Sequence, residues 1–131
     1  MIVADASAII EFLLQTDLGL RIEERLYRDG DEIHVPHLLD VEVLSALRRL
    51  VRAGGVRPNR AEEALEDLSL LRVIRHGHTD LGKRVWELRS NLTAYDAIYI
   101  ALAESLGATF LTCDGPLGVA RGHFARIEVL Q

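Results

Sequence analysis

The chain has 131 residues, of which 49% are hydrophobic and 27% charged, and its formal net charge is −5. That length suits one domain over 1–131 with a substantial core, and the negative charge argues against a protein that coats nucleic acid by bulk electrostatics. No apolar run reaches the roughly 18 residues of a membrane span, the first residues lack a basic leader, and Cys113 is the only cysteine, so a cytoplasmic protein without membrane contact or internal disulfide is expected.

Residues 1–4 read as a short apolar strand closed by Asp5, and Ser7 is expected to cap a helix carrying Ala8, Ile9, Ile10, Phe12, Leu13 and Leu14. A more polar helix follows over 18–28 and stops at Asp29-Gly30-Asp31. Residues 33–35 form a second strand, ended by Pro36. Leu39, Val43, Ala46, Leu47, Leu50 and Val51 then predict a strong helix over 38–53, closed by Gly54-Gly55. Glu42 interrupts that stripe. With Leu38, Leu39 and Ala46 flanking it on one face, its carboxylate leans toward the core and needs a partner or a metal. Asp40 reads as a first-turn charge on the helix dipole.

Asn59 is the expected cap of a helix to residue 71, and 71–74 reads as a third strand. His76 and His78 are metal-like in spacing, but Gly77 between them favours a solvated loop. A short helix from Thr79 leads to the most informative stretch, LTAYDAIYIALAESLGATFLTCD at 92–114. There Thr93 caps a buried helix starting at Ala94, Gly107 ends it, and a strand over 108–112 brings the chain back level with its start. Residues 116–120 read as a brief helix and 126–130 as an edge strand.

Strands separated by helices imply an α/β fold, a three-layer α/β/α sandwich around a parallel sheet of four to five strands. Asp5, Glu42, Asp96 and Asp114 then all map to the carboxyl edge of that sheet, where ligands bind in such folds. Taken singly, Asp96 also reads as a dipole charge and Asp114 as a helix cap; together the four acids call for a hard divalent cation, Mg²⁺ or Mn²⁺. Such a site supports phosphodiester hydrolysis, with Asp5 and Asp96 as principal ligands and Asp114 and Glu42 completing the set directly or through water. Arg48, Arg49 and Arg89 are candidates for binding substrate phosphates.

VADASAII, PHLLDVEVLSAL and LTAYDAIYIALAESLGATFLTCD together resemble the PIN-domain ribonucleases, and within them the VapC toxins of bacterial toxin–antitoxin pairs. The resemblance implies a PIN-like, Rossmann-like fold and RNA cleavage with Mg²⁺ or Mn²⁺ held by Asp5, Glu42, Asp96 and Asp114, with Ser7 and Thr112 as hydroxyl positions beside them. It also implies a homodimer and a small VapB-like antitoxin partner, through which alone the protein would reach DNA. Gly115 stands where some relatives carry another acid.

Two other readings fit less well. A receiver-like phosphoacceptor domain needs paired acids after the first strand and a lysine at a late strand end, whereas Lys83 falls inside a helix. An aspartyl phosphatase wants a second acid where Ser7 stands. An inactive PIN-like binding module is disfavoured by the presence of all four acids.

Overall fold

Five parallel strands in the order β3-β2-β1-β4-β5 form the centre of the computed structural model, which describes residues 1–131. The strands are β1 (Ile2–Ala4), β2 (Ile33–Pro36), β3 (Ile74–His76), β4 (Thr109–Thr112) and β5 (Arg126–Val129). Every residue of β1 and β2 is buried, as expected of parallel strands covered on both faces. The helices are α1 (Ala6–Leu14), α2 (Asp17–Tyr27), α3 (Leu38–Arg52), α4 (Pro58–Leu70), α5 (Gly82–Glu87) and α6 (Ala94–Leu106). Helix α1 packs against α2, α3, α4 and β4, while α6 lies on β1, β2 and β4 with α5 beside it, giving the expected α/β/α sandwich.

The sheet order decides where a ligand site can be. The chain leaves β1 toward β2 on one side and later returns to pair β4 on the other, so strand order reverses between β1 and β4. The crevice beyond the carboxyl ends of those two strands is the binding position of open parallel sheets. With Ala4 opposite Leu111, the next residues, Asp5 and Thr112, face each other across it.

Local expectations held best where caps and glycines speak clearly. Thr93 Oγ1 accepts from Asp96 N at 3.2 Å, α6 begins at Ala94, and Gly107 closes it in the left-handed region at φ 62°. Helix α1, by contrast, is capped by Asp5 and not by Ser7: Asp5 Oδ1 accepts from Ala8 N at 3.1 Å. Helix α4 starts at Pro58 rather than behind an Asn59 cap, because proline's fixed φ suits the first helical position and its missing N–H costs nothing there.

The third strand begins at Ile74, three residues beyond the expected start, since a turn after α4 occupies Leu71 and Val73 before β3 pairs with β2. That shift brings His76 out of the expected loop and onto the sheet, where its Nε2 meets Nδ1 of buried His34 at 2.9 Å. His78 accepts from Leu38 N at 2.8 Å, supplying the N-terminal cap that His37 does not provide. Residues Gly115–Val119 form only a 3₁₀ turn. Helices α1 and α2 approach so closely that a Cβ on Gly19 would stand 1.9 Å from the Glu11 carbonyl oxygen.

Candidate active site

Asp5 stands at the carboxyl edge of the sheet, immediately after β1. It is buried, and both of its oxygens are held: Oδ1 accepts from Ser7 Oγ at 2.6 Å and from Ala8 N, and Oδ2 accepts from Thr112 Oγ1 at 2.5 Å. The two hydroxyls, 3.3 Å apart, are themselves tied down, because Cys113 N donates to Ser7 Oγ at 2.9 Å and Asp114 N to Thr112 Oγ1 at 3.0 Å. Ser7 and Thr112 thus do what their placement beside the acids suggests: they fix the Asp5 carboxylate and the chain leading to Asp114. Burial nevertheless raises the Asp5 pKa, and the charge on Asp96 raises it further against these hydrogen bonds.

Glu42 reaches the same crevice from the second turn of α3. It is half-buried, and the phenol of Tyr99 donates to its Oε1 at 2.6 Å. Desolvation is the main cause of its raised pKa, and Asp5 and Asp96 add to it, while the Tyr99 bond and the Arg49 charge oppose it. Asp96, in the first turn of α6, is raised by desolvation and then by Asp114. Asp96 therefore interacts electrostatically with each of the other three acids, and it is the hub of the cluster.

None of the four acids takes part in an ion pair; the ion pairs of the molecule lie elsewhere. Four carboxylates, none of them in an ion pair, make an all-oxygen donor set that suits Mg²⁺ or Mn²⁺. The cluster is nevertheless looser than a closed cage, since no three His, Cys, Asp or Glu side chains are gathered tightly enough to hold an ion by themselves. The hydrogen bonds occupy part of the set: Asp5 turns both oxygens to hydroxyls, and Glu42 turns one to Tyr99. This arrangement suits an ion that keeps several of its own waters, as Mg²⁺ does.

Asp40 stands in the first turn of α3, as expected, and Arg75 of β3 also grips it with two hydrogen bonds of 2.8 and 2.9 Å, which lower its pKa and tie it to β3 and not to the other acids. Arg49 stands close enough to Glu42 for its charge to be felt there. Arg48 lines a groove between α3 and α4 with Leu44, Val51 and Pro58 instead. Arg89 lays its guanidinium over the ring of Trp86, 4.6 Å from its centroid.

Tyr99 is the site residue that sequence reasoning missed. It reads as one more apolar position on a buried helix, and it does stack on Phe110, with centroids 6.0 Å apart. The available signal was its spacing: three residues after Asp96 it lies on the same helical face.

The PIN domain family model matches residues 2–119. Ribonuclease VapC12 of Mycobacterium tuberculosis is 38% identical over 130 residues, covering 99% of each chain. Ribonuclease VapC9 of the same species is 40% identical over 114 residues, covering 87% of this chain and 86% of its own. Among solved structures, DNA-bound VapBC from Salmonella typhimurium superposes with a TM-score of 0.70 at 16% identity, covering 98% of this chain and 96% of that one.

Proposed function

Because the chain belongs to the PIN-domain family and its VapC ribonucleases, we propose that it is a Mg²⁺- or Mn²⁺-dependent endoribonuclease, the toxin of a toxin–antitoxin pair, acting through Asp5, Glu42, Asp96 and Asp114. The observation that carries the reading is the position of Asp96 at the sheet edge where strand order reverses: its charge bears on Asp5 and Glu42, and Asp114 bears on it.

In this reading Asp5, Asp96 and Asp114 hold the divalent ion, and Glu42 does so directly or through water. The ion, when bound, supplies positive charge to the scissile phosphate and acidifies water. The residues of the chain do the rest. Ser7, Thr112 and Ala8 N keep Asp5 in one orientation, so the principal carboxylate needs no reorganisation when substrate arrives. Glu42, with Oε1 held by Tyr99, offers Oε2 as acceptor for a proton from the attacking water; a carboxylate raised in pKa is the better base for that step. Arg49, two turns beyond Glu42 on α3 and close enough for its charge to act there, meets an RNA phosphate in this reading.

A VapB-type antitoxin and a homodimer belong to the same proposal, as does contact with DNA only through the antitoxin. The relatives at 38–40% identity are VapC ribonucleases, and that kinship is the support for them. No helix is long and apolar enough to cross a membrane. The test is cleavage of structured RNA with Mg²⁺: activity abolished by EDTA and by Asp96→Asn is expected, and activity that survives both overturns the mechanism.

A further inference from the structure

The chain has one tryptophan, and it is not in the core: Trp86, near the end of α5, is 67% exposed. An exposed indole is costly in water unless something covers it, and here one side is already covered by Arg89. Apart from a 2.9 Å bond from Nη1 to the Trp86 carbonyl oxygen, that guanidinium has no partner, and no acid pairs with it. The neighbouring arginine is different. Arg84 is bound to Glu104 by two hydrogen bonds, of 2.7 and 3.0 Å, and to the Gly122 carbonyl, so it holds the 122–124 segment against α5 and α6. The charge of Arg84 is spent on structure; that of Arg89 is available.

The chain path leads from the pair directly to the start of α6. Arg84, early in α5, meets Glu104 in the last turns of α6, while Arg89 sits in a turn over 88–92, closed by Asn91 N and Leu92 N on the Leu88 carbonyl, that leads to Thr93, the cap of α6. Helix α5 packs beside α6, and the Trp86–Arg89 pair lies a few residues before the α6 turn that carries Asp96. Between the two in the chain lies Tyr95, exposed and adjacent to Asp96.

We propose that Trp86 and Arg89 form a stacking platform for an unpaired base, with its phosphate, of the single-stranded RNA that flanks the scissile bond. The proposal rests on the nuclease reading above and adds to it where the substrate strand lies. Every base has a π-face that stacks on indole without sequence preference, and a guanidinium beside the ring takes the adjoining phosphate. On a chain of net charge −5, a local cation set against an aromatic surface is what a polyanion needs in order to approach an acidic site.

Trp86 is its own reporter. In EDTA, where no cleavage occurs, titration with a single-stranded oligoribonucleotide of about 12 nucleotides is expected to quench its fluorescence. Trp86→Ala is expected to weaken binding about tenfold, Trp86→Phe to retain most of it, and Arg89→Ala to weaken it with a shallower salt dependence. In cleavage assays Trp86→Ala raises KM and leaves kcat in place. Unchanged fluorescence together with wild-type affinity in Trp86→Ala overturns the platform. So does a fluorescence change that follows protein concentration instead of RNA, with Trp86→Ala altering the sedimentation of the protein, because the face then belongs to a protein contact. If Asp96→Asn is inactive while Trp86→Ala has a normal KM, the platform fails and the nuclease stands; if no variant cleaves with any ion, the nuclease reading fails whatever RNA does to Trp86.

Discussion

The phenol of Tyr99 donates a 2.6 Å hydrogen bond to Glu42 Oε1, joining α6 to α3 across the acidic crevice. Tyr99 is buried and stacked on Phe110, so its hydroxyl has little freedom, and Glu42 is aimed by a group that cannot follow it if it turns away. Its own pKa is pushed far up by burial and by Glu42, which keeps it a donor at every working pH. Tyr99→Phe leaves the packing intact and removes only the bond: stability should fall by about 1 kcal/mol and kcat by about tenfold, measured by urea denaturation and RNA cleavage. A kcat equal to wild type would show that Glu42 needs no such aiming.

Asp5, Glu42 and Asp96 all have raised pKa values, chiefly from desolvation. In the window between the ordinary carboxylate range near pH ~4 and those raised values, these three carboxyls bind more protons in the folded protein than in the unfolded chain, an excess that Asp96→Asn would reduce. Stability of the metal-free protein therefore falls as pH rises through that window. Thermal unfolding in EDTA should show this decline in Tm, and Mn²⁺ should reverse it increasingly at higher pH, where protons no longer compete for the carboxylates. A Tm in EDTA that climbs across the same window contradicts the assignment.

Thr112 is fully buried, and its hydroxyl serves Asp5 and Asp114 N at once. Thr112→Val keeps the shape and leaves both partners unsatisfied, so denaturant unfolding should show a loss of about 2 kcal/mol. Thr112→Ser, which retains the hydroxyl, should recover much of it.

Gly19→Ala tests the fold apart from the chemistry. The added methyl would meet the Glu11 carbonyl at 1.9 Å, backbone against backbone, and α2 must move away from α1. The expected cost is about 3 kcal/mol in urea denaturation, with wild-type RNA cleavage in the molecules that remain folded.

Much of this architecture is legible in the sequence, because the strands that flank the site, β1 and β4, are each followed by an acid near their carboxyl ends. Asp5 follows β1, Asp96 opens α6 and Asp114 follows β4, so their common edge follows from element lengths alone. Glu42 is legible as a polar interruption in an apolar stripe, yet the identity of its partner is not, since Tyr99 lies 57 positions away and has the composition of core. Asp40 is legible as a first-turn charge, but its partner Arg75 is not, because Arg75 sits on a strand whose start depends on where α4 unwinds. His76 and His78 read as solvated until that register places one against His34 and the other over the start of α3. Contacts set by local spacing are readable; those set by register between distant elements are not.

The convergence of four acids on one ion is tested most directly by calorimetric titration of the protein with Mn²⁺. Saturable heat is predicted for the wild type, strongly reduced in Asp5→Asn and Asp96→Asn and little changed in Asp40→Asn. Absence of binding by the wild type, or equal binding by Asp96→Asn, would contradict the account.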